Sequence, residues 1–325
     1  MYAAKTIRGI ALLTTMGSLA ACAPATAAER GRLAIRVRSA ELSCPIPYRT
    51  GKAPVVFIHG MLGSPDNWSV MTEQLGADPA VRANFQPLVF RYDSLQSIPD
   101  AGRDLLDALR EARRQFDPEG RDTAFDRVIL VGYSMGGLVA KAAIRARDSG
   151  SPAVDDPPRV DAVKPAMPKI ARVIFVATPH RGSPVDRGAL RSAGSWIVRA
   201  VSPSSPAWGS RATSVDQLVW DNPLLVDLER ARAAGGVPFH SIIATLRDPS
   251  ADGATDGLVP VASARLDGAR SEVVVRTHHI CFRHPEVIRE VHRILIEQAA
   301  LSSRPGRGEP AVDRSSPNRP RIQNS

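Results

Sequence analysis

A serine between two glycines, in the pentapeptide Gly-Tyr-Ser134-Met-Gly, could act as a covalent nucleophile. The apolar run Val128–Val131 precedes it, and a helical pattern over Leu138–Ala146 follows it. A tight turn between a buried strand and a helix exposes a serine hydroxyl, and it requires glycines because other side chains would collide with the neighbouring elements. When the serine attacks the carbonyl carbon of a substrate, the carbonyl oxygen becomes an anion. The amide of Met135, at the start of the predicted helix, is one donor that could stabilise this oxyanion.

Apolar runs alternate with helical patterns along the chain, and they predict the elements that position this serine. Six short runs predict buried strands at Val55–Ile58, Phe85–Tyr92, Val128–Val131, Ile170–Ala177, Phe239–Ala244 and Val273–Val275. Helical patterns lie at Trp68–Leu75, Ala101–Phe116, Leu138–Ala146 and from Pro285 onward. Strands that alternate with helices indicate an α/β protein whose parallel sheet is covered on both faces.

The loop after the first of these strands carries a resemblance to a known family. It reads His59-Gly-Met61-Leu-Gly and resembles the oxyanion loop of bacterial lipases of the α/β-hydrolase fold. The resemblance covers about residues 51–300. It implies a mostly parallel central sheet with helices on both faces and a cap insert, and it makes the amide of Met61 the second oxyanion donor. It also implies that His59 structures the loop and is not the catalytic base.

The same resemblance implies a catalytic acid that follows Ser134 in the chain. The segment Asp256-Gly-Leu-Val-Pro resembles the Asp-Gly-x-Val-Pro element of these lipases, which makes Asp256 the predicted acid. Its role would be to hold the catalytic imidazole in one tautomer and to stabilise the imidazolium. Asp248 and Asp252 occupy the same loop, so a plain turn or a Ca²⁺-coordinating cluster is the alternative interpretation.

The catalytic histidine should lie between the last predicted strand and the last helix. His278, His279 and His284 meet that condition. The resemblance favours His279, because related hydrolases place this histidine six residues before a Pro-Glu or His-Pro helix start. His284 precedes Pro285, the predicted first helical residue, and that position suits a helix cap. A further segment, Thr178–Ser183, resembles one found in lipase-like and GPI-inositol-deacylase-like hydrolases, where we expect it to shape the pocket rim.

These residues predict a serine hydrolase, an esterase or lipase, that cleaves carboxylic esters through an acyl-enzyme. One alternative is an acyltransferase, in which a lipid or sugar hydroxyl replaces water. Another is a non-catalytic lipoprotein that only binds an apolar ligand. The sequence has no HExxH, no paired CxxC and no GxGxxG after a strand, so neither a metal nor a cofactor is predicted.

The N-terminus has the pattern of a bacterial lipoprotein signal peptide, predicted for residues 1–21. Lys5 and Arg8 precede an apolar run that is too short to span a bilayer. The run ends in Leu-Ala-Ala-Cys22, which resembles a lipobox, in which the cysteine is diacylated and becomes the mature N-terminus. Two acyl chains give stable anchoring. We therefore expect an exported, membrane-anchored lipoprotein facing the periplasm or the cell exterior, with plain secretion as the alternative.

The rest of the chain divides by composition. The predicted parts are a tether and N-terminal edge strand at 22–50, the hydrolase domain at 51–300 with a cap insert at about 182–236, and a disordered tail at 301–325. The insert holds three of the four tryptophans, and these tryptophans and apolar residues such as Ile197, Val198 and Leu218 are expected to line an acyl-sized groove. Simple packing against the sheet is the alternative.

Two further features concern charge and cysteines. Of the net charge of +9, residues 1–21 carry two charges and residues 301–325 a net three, which leaves +4 for residues 22–300. That surplus lacks the clustered Lys/Arg stripe that nucleic-acid binding needs, so the expected partners are an ester or lipid substrate and a membrane. If Cys22 is lipidated, Cys44 and Cys281 remain as a pair that could be bridged in an oxidising compartment, with two reduced thiols as the alternative.

Overall fold

The protein is described by a computed structural model over residues 34–149, 167–184, 213–234 and 236–302. The predicted signal peptide, Cys22, most of the predicted tail, Trp196, Trp208, Ile197 and Val198 lie outside these ranges. Within them, no helix has both the length and the apolar character needed to cross a membrane.

A single mixed sheet forms the centre of the described structure. Its strands are β1 (Ala34–Val37), β2 (Ala40–Ser43), β3 (Ala53–Ile58), β4 (Phe85–Arg91), β5 (Val128–Tyr133), β6 (Ile170–Val176), β7 (Phe239–Thr245) and β8 (Ser271–Arg276). The spatial order is β1-β2-β4-β3-β5-β6-β7-β8. Strands β3 to β8 run parallel, whereas β1 and β2 form an antiparallel hairpin at one edge. The six apolar runs correspond to β3 to β8, and the predicted N-terminal edge strand corresponds to β1.

Helices connect these strands and cover both faces of the sheet. They are α1 (Ser69–Ala77), α2 (Pro79–Asn84), α3 (Ile98–Phe116), α4 (Met135–Asp148), α5 (Thr213–Gln217), α6 (Pro223–Ala234), α7 (Val261–Ala264) and α8 (Pro285–Ser302). The sequence patterns missed β2, which has four residues, and the short helices α2, α5 and α7, because each is too short to show a hydrophobic period. They also missed α6, a helix of 12 residues that lies within the predicted cap insert. Helix α8 ends at Ser302, two residues inside the predicted tail.

Two hydrophobic clusters divide the core between the faces of the sheet. Alternate residues of one strand point to opposite faces, so Val56 and Ile58 join one cluster with α3 and α4, while Val55 and Phe57 join the other with α1 and α8. Helices α3 and α4 pack closely at Gly102, where a Cβ would lie 2.5 Å from the Cβ of Ala142. This contact fixes α4, the helix that follows Ser134.

The predicted bridge between Cys44 and Cys281 is wrong. Both cysteines are free and buried. Cys44 follows β2 and Cys281 follows β8, and these two strands are six positions apart in the sheet. Strands are spaced at roughly 4.8 Å, whereas a disulfide needs Cα atoms within about 7 Å of each other. The two thiols also belong to opposite hydrophobic clusters, and Cys44 donates to the carbonyl of Pro87 at 3.2 Å.

Candidate active site

Ser134 occupies a strained turn between β5 and α4. Its φ of 52° and ψ of −125° are unusual for a residue with a side chain, and its amide donates to the carbonyl of Val176 at 2.8 Å. The glycines on either side are required sterically. A Cβ on Gly132 would lie 2.6 Å from the Cα of Gly137, and one on Gly136 would collide with the carbonyl groups of β3 and its following loop. The sequence therefore folds into the tight turn that the motif predicts.

Three predicted residues meet at this turn. The Nε2 atom of His279 lies 2.9 Å from the Oγ of Ser134, and its Nδ1 atom lies 2.7 Å from the Oδ2 of Asp256. All three side chains are buried. Because an ionised carboxylate can only accept, the Nδ1–H donates to Asp256 and leaves Nε2 as the acceptor for the serine hydroxyl. This tautomer is the one that can take a proton from Ser134.

The loop between β7 and β8 holds Asp256 in a fixed orientation. Its Oδ1 atom accepts from the amides of Leu258 at 2.9 Å and Val259 at 2.7 Å, so only Oδ2 faces the imidazole. The backbone ties the two loops together as well, because the amide of His279 donates to the carbonyl of Asp256 at 3.0 Å. The other acids of this loop, Asp248 and Asp252, are exposed. Among the described residues, no cluster of three or more His, Cys, Asp or Glu could hold a metal ion.

The structure separates the three candidate histidines by position. His278 is exposed, and its neighbour His279 is buried. His284 caps α8, because its Nδ1 accepts from the amide of Glu286 at 3.3 Å and its carbonyl accepts from the amide of Ile288 at 3.1 Å. Of the three, His279 alone contacts Ser134.

Tyr133 is a contact residue that the sequence analysis missed. Its hydroxyl donates to the carbonyl of His279 at 3.1 Å, and its ring lies 5.3 Å from the imidazole. Burial raises the pKa of Tyr133 well above its usual value, and the nearby groups of Cys281 and Asp256 act in the same sense. The phenol therefore stays neutral and acts as a hydrogen-bond donor that orients the histidine loop. The one sequence feature that could have indicated this contact is the position of Tyr133 next to Ser134 in the motif.

The two predicted oxyanion donors lie beside Ser134. Met61 lines the same cavity as Ser134, and a Cβ on the preceding residue, Gly60, would lie 3.1 Å from the Cβ of Ser134. Within the parts of the chain that the structure describes, neither the amide of Met61 nor that of Met135 donates to a protein acceptor. Both N–H groups are thus available to a reacting oxygen.

His59 shapes this oxyanion loop. Its Nδ1 lies 2.8 Å from the carbonyl of Gly60, its ring stacks on Tyr92, and its carbonyl accepts from the Tyr92 hydroxyl at 2.9 Å. Burial lowers the pKa of His59 to about 4, so the imidazole is neutral at pH 7. The residue has no contact with Ser134 and supports the loop, as the resemblance implied.

The cavity at Ser134 is narrow and mostly apolar. Its volume is about 20 Å³, which is room for about one water molecule. The residues that line it are Met61, Tyr133, Ser134, Pro179, Ser183, Leu218, Leu258, Val259 and His279. Pro179 and Ser183 form part of the rim, whereas the His180 ring packs edge to face against Phe175. An acyl group can enter only if some of the apolar side chains move.

Leu218 comes from the predicted cap insert, and the described part of that insert is firmly attached. The Ser214 hydroxyl donates to the carbonyl of Ser94 at 2.6 Å, and the Gln217 side chain accepts from the amide of Ile98 at 2.7 Å. Farther along, the buried ammonium of Lys141 on α4 lies 2.6 Å from the Glu229 carboxylate on α6. These bonds hold Leu218 over the cavity.

Comparison with known proteins agrees with this geometry. The sequence matches the family described as "Putative serine esterase (DUF676)" over residues 52–263. The fold is similar to that of the mature lipase BlEst2 of Bacillus licheniformis, with 19% identity, 82% of this chain and 97% of that chain covered, and a TM-score of 0.52. A "putative lipase" of Acinetobacter baumannii aligns at 14% identity over 83% of this chain and 92% of its own, with a TM-score of 0.50. A search of curated proteins found no match. The predicted α/β-hydrolase fold is confirmed.

Proposed function

The chain belongs to the DUF676 serine esterase family, and from this premise we propose that it hydrolyses carboxylic esters through an acyl-enzyme on Ser134. The observation that supports the proposal most directly is the bridging position of His279, at 2.9 Å from Ser134 and 2.7 Å from Asp256. A nucleophile, a base and an acid that orients the base are the parts that this chemistry needs.

The proposed reaction begins with attack by the Ser134 oxygen on the ester carbonyl carbon. His279 takes the hydroxyl proton at Nε2, and Asp256 stabilises the imidazolium that forms. The carbonyl oxygen becomes an anion, for which the amides of Met61 and Met135 are the proposed donors. The tetrahedral intermediate then collapses, and the alcohol leaves with the proton from His279. The acyl group remains on Ser134 as an ester.

Water completes the proposed cycle. His279 takes a proton from a water molecule, whose oxygen attacks the acyl carbon. Collapse of the second tetrahedral intermediate breaks the bond to Ser134, which regains the proton from His279, and the carboxylic acid leaves.

Reaction with a fluorophosphonate probe tests the nucleophile. The folded protein should be labelled and should hydrolyse p-nitrophenyl esters, whereas Ser134→Ala should do neither. Ser149→Ala is a matched control, because Ser149 is an exposed hydroxyl at the other end of α4. Labelling of Ser134→Ala at the wild-type rate would contradict the proposal. Ester hydrolysis by the unsubstituted protein that is lost in Ser134→Ala would remove the non-catalytic lipid-binding alternative.

The apolar cavity lining supports an acyl substrate of lipid type. Met61, Leu218 and Leu258 offer no charged group to a ligand. We propose that the acyl chain displaces these side chains and packs against them. A p-nitrophenyl ester series tests this, since a rate that falls steadily from acetate to octanoate would remove the case for a lipid-like substrate. Addition of an alcohol acceptor and analysis of products distinguishes hydrolysis from acyl transfer.

The cellular location is also a proposal. The basic residues Lys5 and Arg8, the apolar run and the lipobox-like sequence at Cys22 support export and anchoring through a diacylated cysteine. In that position the enzyme would act on esters at the periplasmic side or outside the cell.

A further inference from the structure

A second cavity, which we name the basal groove, lies between the amino-terminal halves of β3 and β4 and the helices α1, α2 and α8. Its volume is about 800 Å³, and none of its lining residues belongs to the cavity at Ser134. Its floor is formed by buried apolar side chains: Val55, Phe57, Leu75, Val81, Phe85 and Leu295. The size and the apolar lining are those of a small-molecule site, for which volumes of about 300–1,000 Å³ are usual.

Three cations line the same groove. They are Arg49, Lys52 and Arg82, and in the described ranges none of them forms an ion pair with an acid. The arginines of α3 differ, because each of Arg103, Arg110 and Arg113 pairs with an aspartate. Glu73 is the one acid among the described lining residues, so the groove carries a net positive charge.

Hydrogen bonds hold two of these cations in place. The Arg82 guanidinium donates to the carbonyls of Gly76 at 2.8 Å and Ala77 at 2.7 Å, and the Lys52 ammonium donates to the Arg82 carbonyl. Burial and then the positive charges of Arg49 and Arg82 lower the pKa of Lys52. Like charges grouped in this way repel one another, and an anion that binds among them relieves that repulsion.

One exposed part of the groove lining is apolar. Ile46 is 48% exposed, an unusual fraction for a large aliphatic side chain, and it lies between Pro45 and Pro47. A ligand that covers both Ile46 and the floor must be apolar over most of its length, and a negative charge on it would complement the cations.

From this combination we propose that the basal groove binds a single-chain anionic amphiphile, a fatty carboxylate. The alkyl chain lies on the apolar floor, and the carboxylate pairs with the three cations. A neutral alcohol or ester of the same chain length would leave those cations without an anion, and a short carboxylate would leave the floor exposed. The site does not use Ser134, so the inference stands or falls separately from the proposed reaction.

Calorimetric titration of the folded protein with laurate, below its micelle concentration, tests the proposal. We expect saturable binding to one site. Affinity should rise from octanoate to laurate by up to about fourfold for each added methylene, because each buried methylene adds to the hydrophobic driving force. Dodecanol should bind about tenfold more weakly than laurate, since it lacks the charge.

Gly76 provides a variant that blocks the groove. It lines the groove on α1, and a Cβ there would meet no atom within 4 Å, so a side chain can begin at this position without a steric conflict, and Gly76→Trp is chosen to fill the groove. Gly76→Trp should abolish laurate binding, whereas Gly76→Ala should keep it. If Gly76→Trp does not fold by circular dichroism, Ala83→Trp replaces it, because Ala83 is exposed and lines the same groove.

A charge variant tests the head-group contact. Arg49→Gln with Lys52→Gln should weaken laurate binding on the order of tenfold and leave dodecanol binding unchanged. Arg121→Gln with Lys169→Gln removes two charges from side chains that are 84% and 70% exposed elsewhere, and it should leave both affinities unchanged. Wild-type laurate affinity in Gly76→Trp would overturn the inference, because the ligand would then occupy another site. So would binding only to anionic phospholipid vesicles with none to monomeric laurate.

Discussion

At the scale of single residues, the proposed chemistry depends on the direction in which a histidine side chain points from the backbone. His278 and His279 are neighbours in the sequence, yet one is exposed and the other is buried against Ser134. The carbonyl of His279 accepts from Tyr133 and its amide donates to Asp256, so the backbone of this loop is fixed at both ends of the residue. These bonds decide which imidazole faces the nucleophile.

The histidine pair gives the first prediction. His279→Ala should lower kcat for p-nitrophenyl acetate by at least about 10³-fold, because it removes the general base. His278→Ala should keep most of the activity, since its side chain makes no contact with Ser134. Steady-state kinetics on folded protein measure both values. The reverse result would move the base to His278.

The buried His59 gives a prediction about pH. Its pKa is about 4 in the folded protein and about 6.5 in an unfolded chain, so the unfolded state binds the proton more readily. The contribution of His59 to the free energy of unfolding is therefore fully present above pH 6.5 and is lost as the pH falls towards 4. Between pH 7 and pH 5 the loss should be about 2 kcal/mol. His240, whose pKa burial and Arg172 also lower to about 4, acts in the same direction.

Urea unfolding at the two pH values measures the effect. His59→Asn removes one titrating group, so its stability should fall less between pH 7 and pH 5 than that of the unsubstituted protein. An equal fall in both proteins would show that His59 does not contribute.

At the scale of elements, the turn at Ser134 and the packing of α4 depend on each other. Helix α4 begins directly after the serine and lies so close to β5 that the atoms of Gly137 approach Gly132. The same helix carries Lys141, whose bond to Glu229 attaches the described part of the insert. A shift of α4 would thus disturb the nucleophile and the cavity lining together.

Two glycine variants test this coupling. Gly132→Ala places a Cβ 2.6 Å from backbone atoms of Gly137, and backbone atoms cannot move aside without displacing α4. We expect a destabilisation of about 1–3 kcal/mol or more, with loss of ester hydrolysis. Gly76→Ala, which meets open space on α1, should be neutral or should stabilise by up to about 1 kcal/mol. Equal unfolding midpoints in urea for the two variants would argue against the steric account.

At the scale of the whole molecule, the proposed anchor precedes the described domain in the sequence. The first described strand begins at Ala34, twelve positions after Cys22. Along the sheet, β1 lies at one edge, and Ser134 follows β5 near the centre.

The anchor itself is tested by Cys22→Ser. The variant should remain as a precursor or as a soluble form, because no thiol is available for diacylation. Cell fractionation with a high-salt wash, followed by an immunoblot, measures the distribution. A variant that stays with the membrane after the wash would show that the lipobox interpretation is wrong.

Local patterns in the sequence determined much of the architecture. Apolar runs predicted β3 to β8 and helical periods predicted α1, α3, α4 and α8, because side-chain spacing reports which face of an element is buried. The pentapeptide around Ser134 predicted the turn that it forms, since its two glycines are needed where neighbouring backbone leaves no room for a Cβ. Asp256 and His279 came from a resemblance of short motifs, and the structure places His279 between Ser134 and Asp256.

Contacts between distant parts of the chain were decided only by the tertiary structure. The sequence paired Cys44 with Cys281 by counting, whereas strand order places them at opposite ends of the sheet. The basal groove draws its lining from the segment around Ile46, from β3, β4, α1 and α2, and from Leu295 on α8. The hydrophobic periodicity of one element cannot predict a groove that several separate elements form together. Periodicity arises from neighbours along one element, while cavities, pairings and the choice between adjacent histidines arise from how separate elements pack.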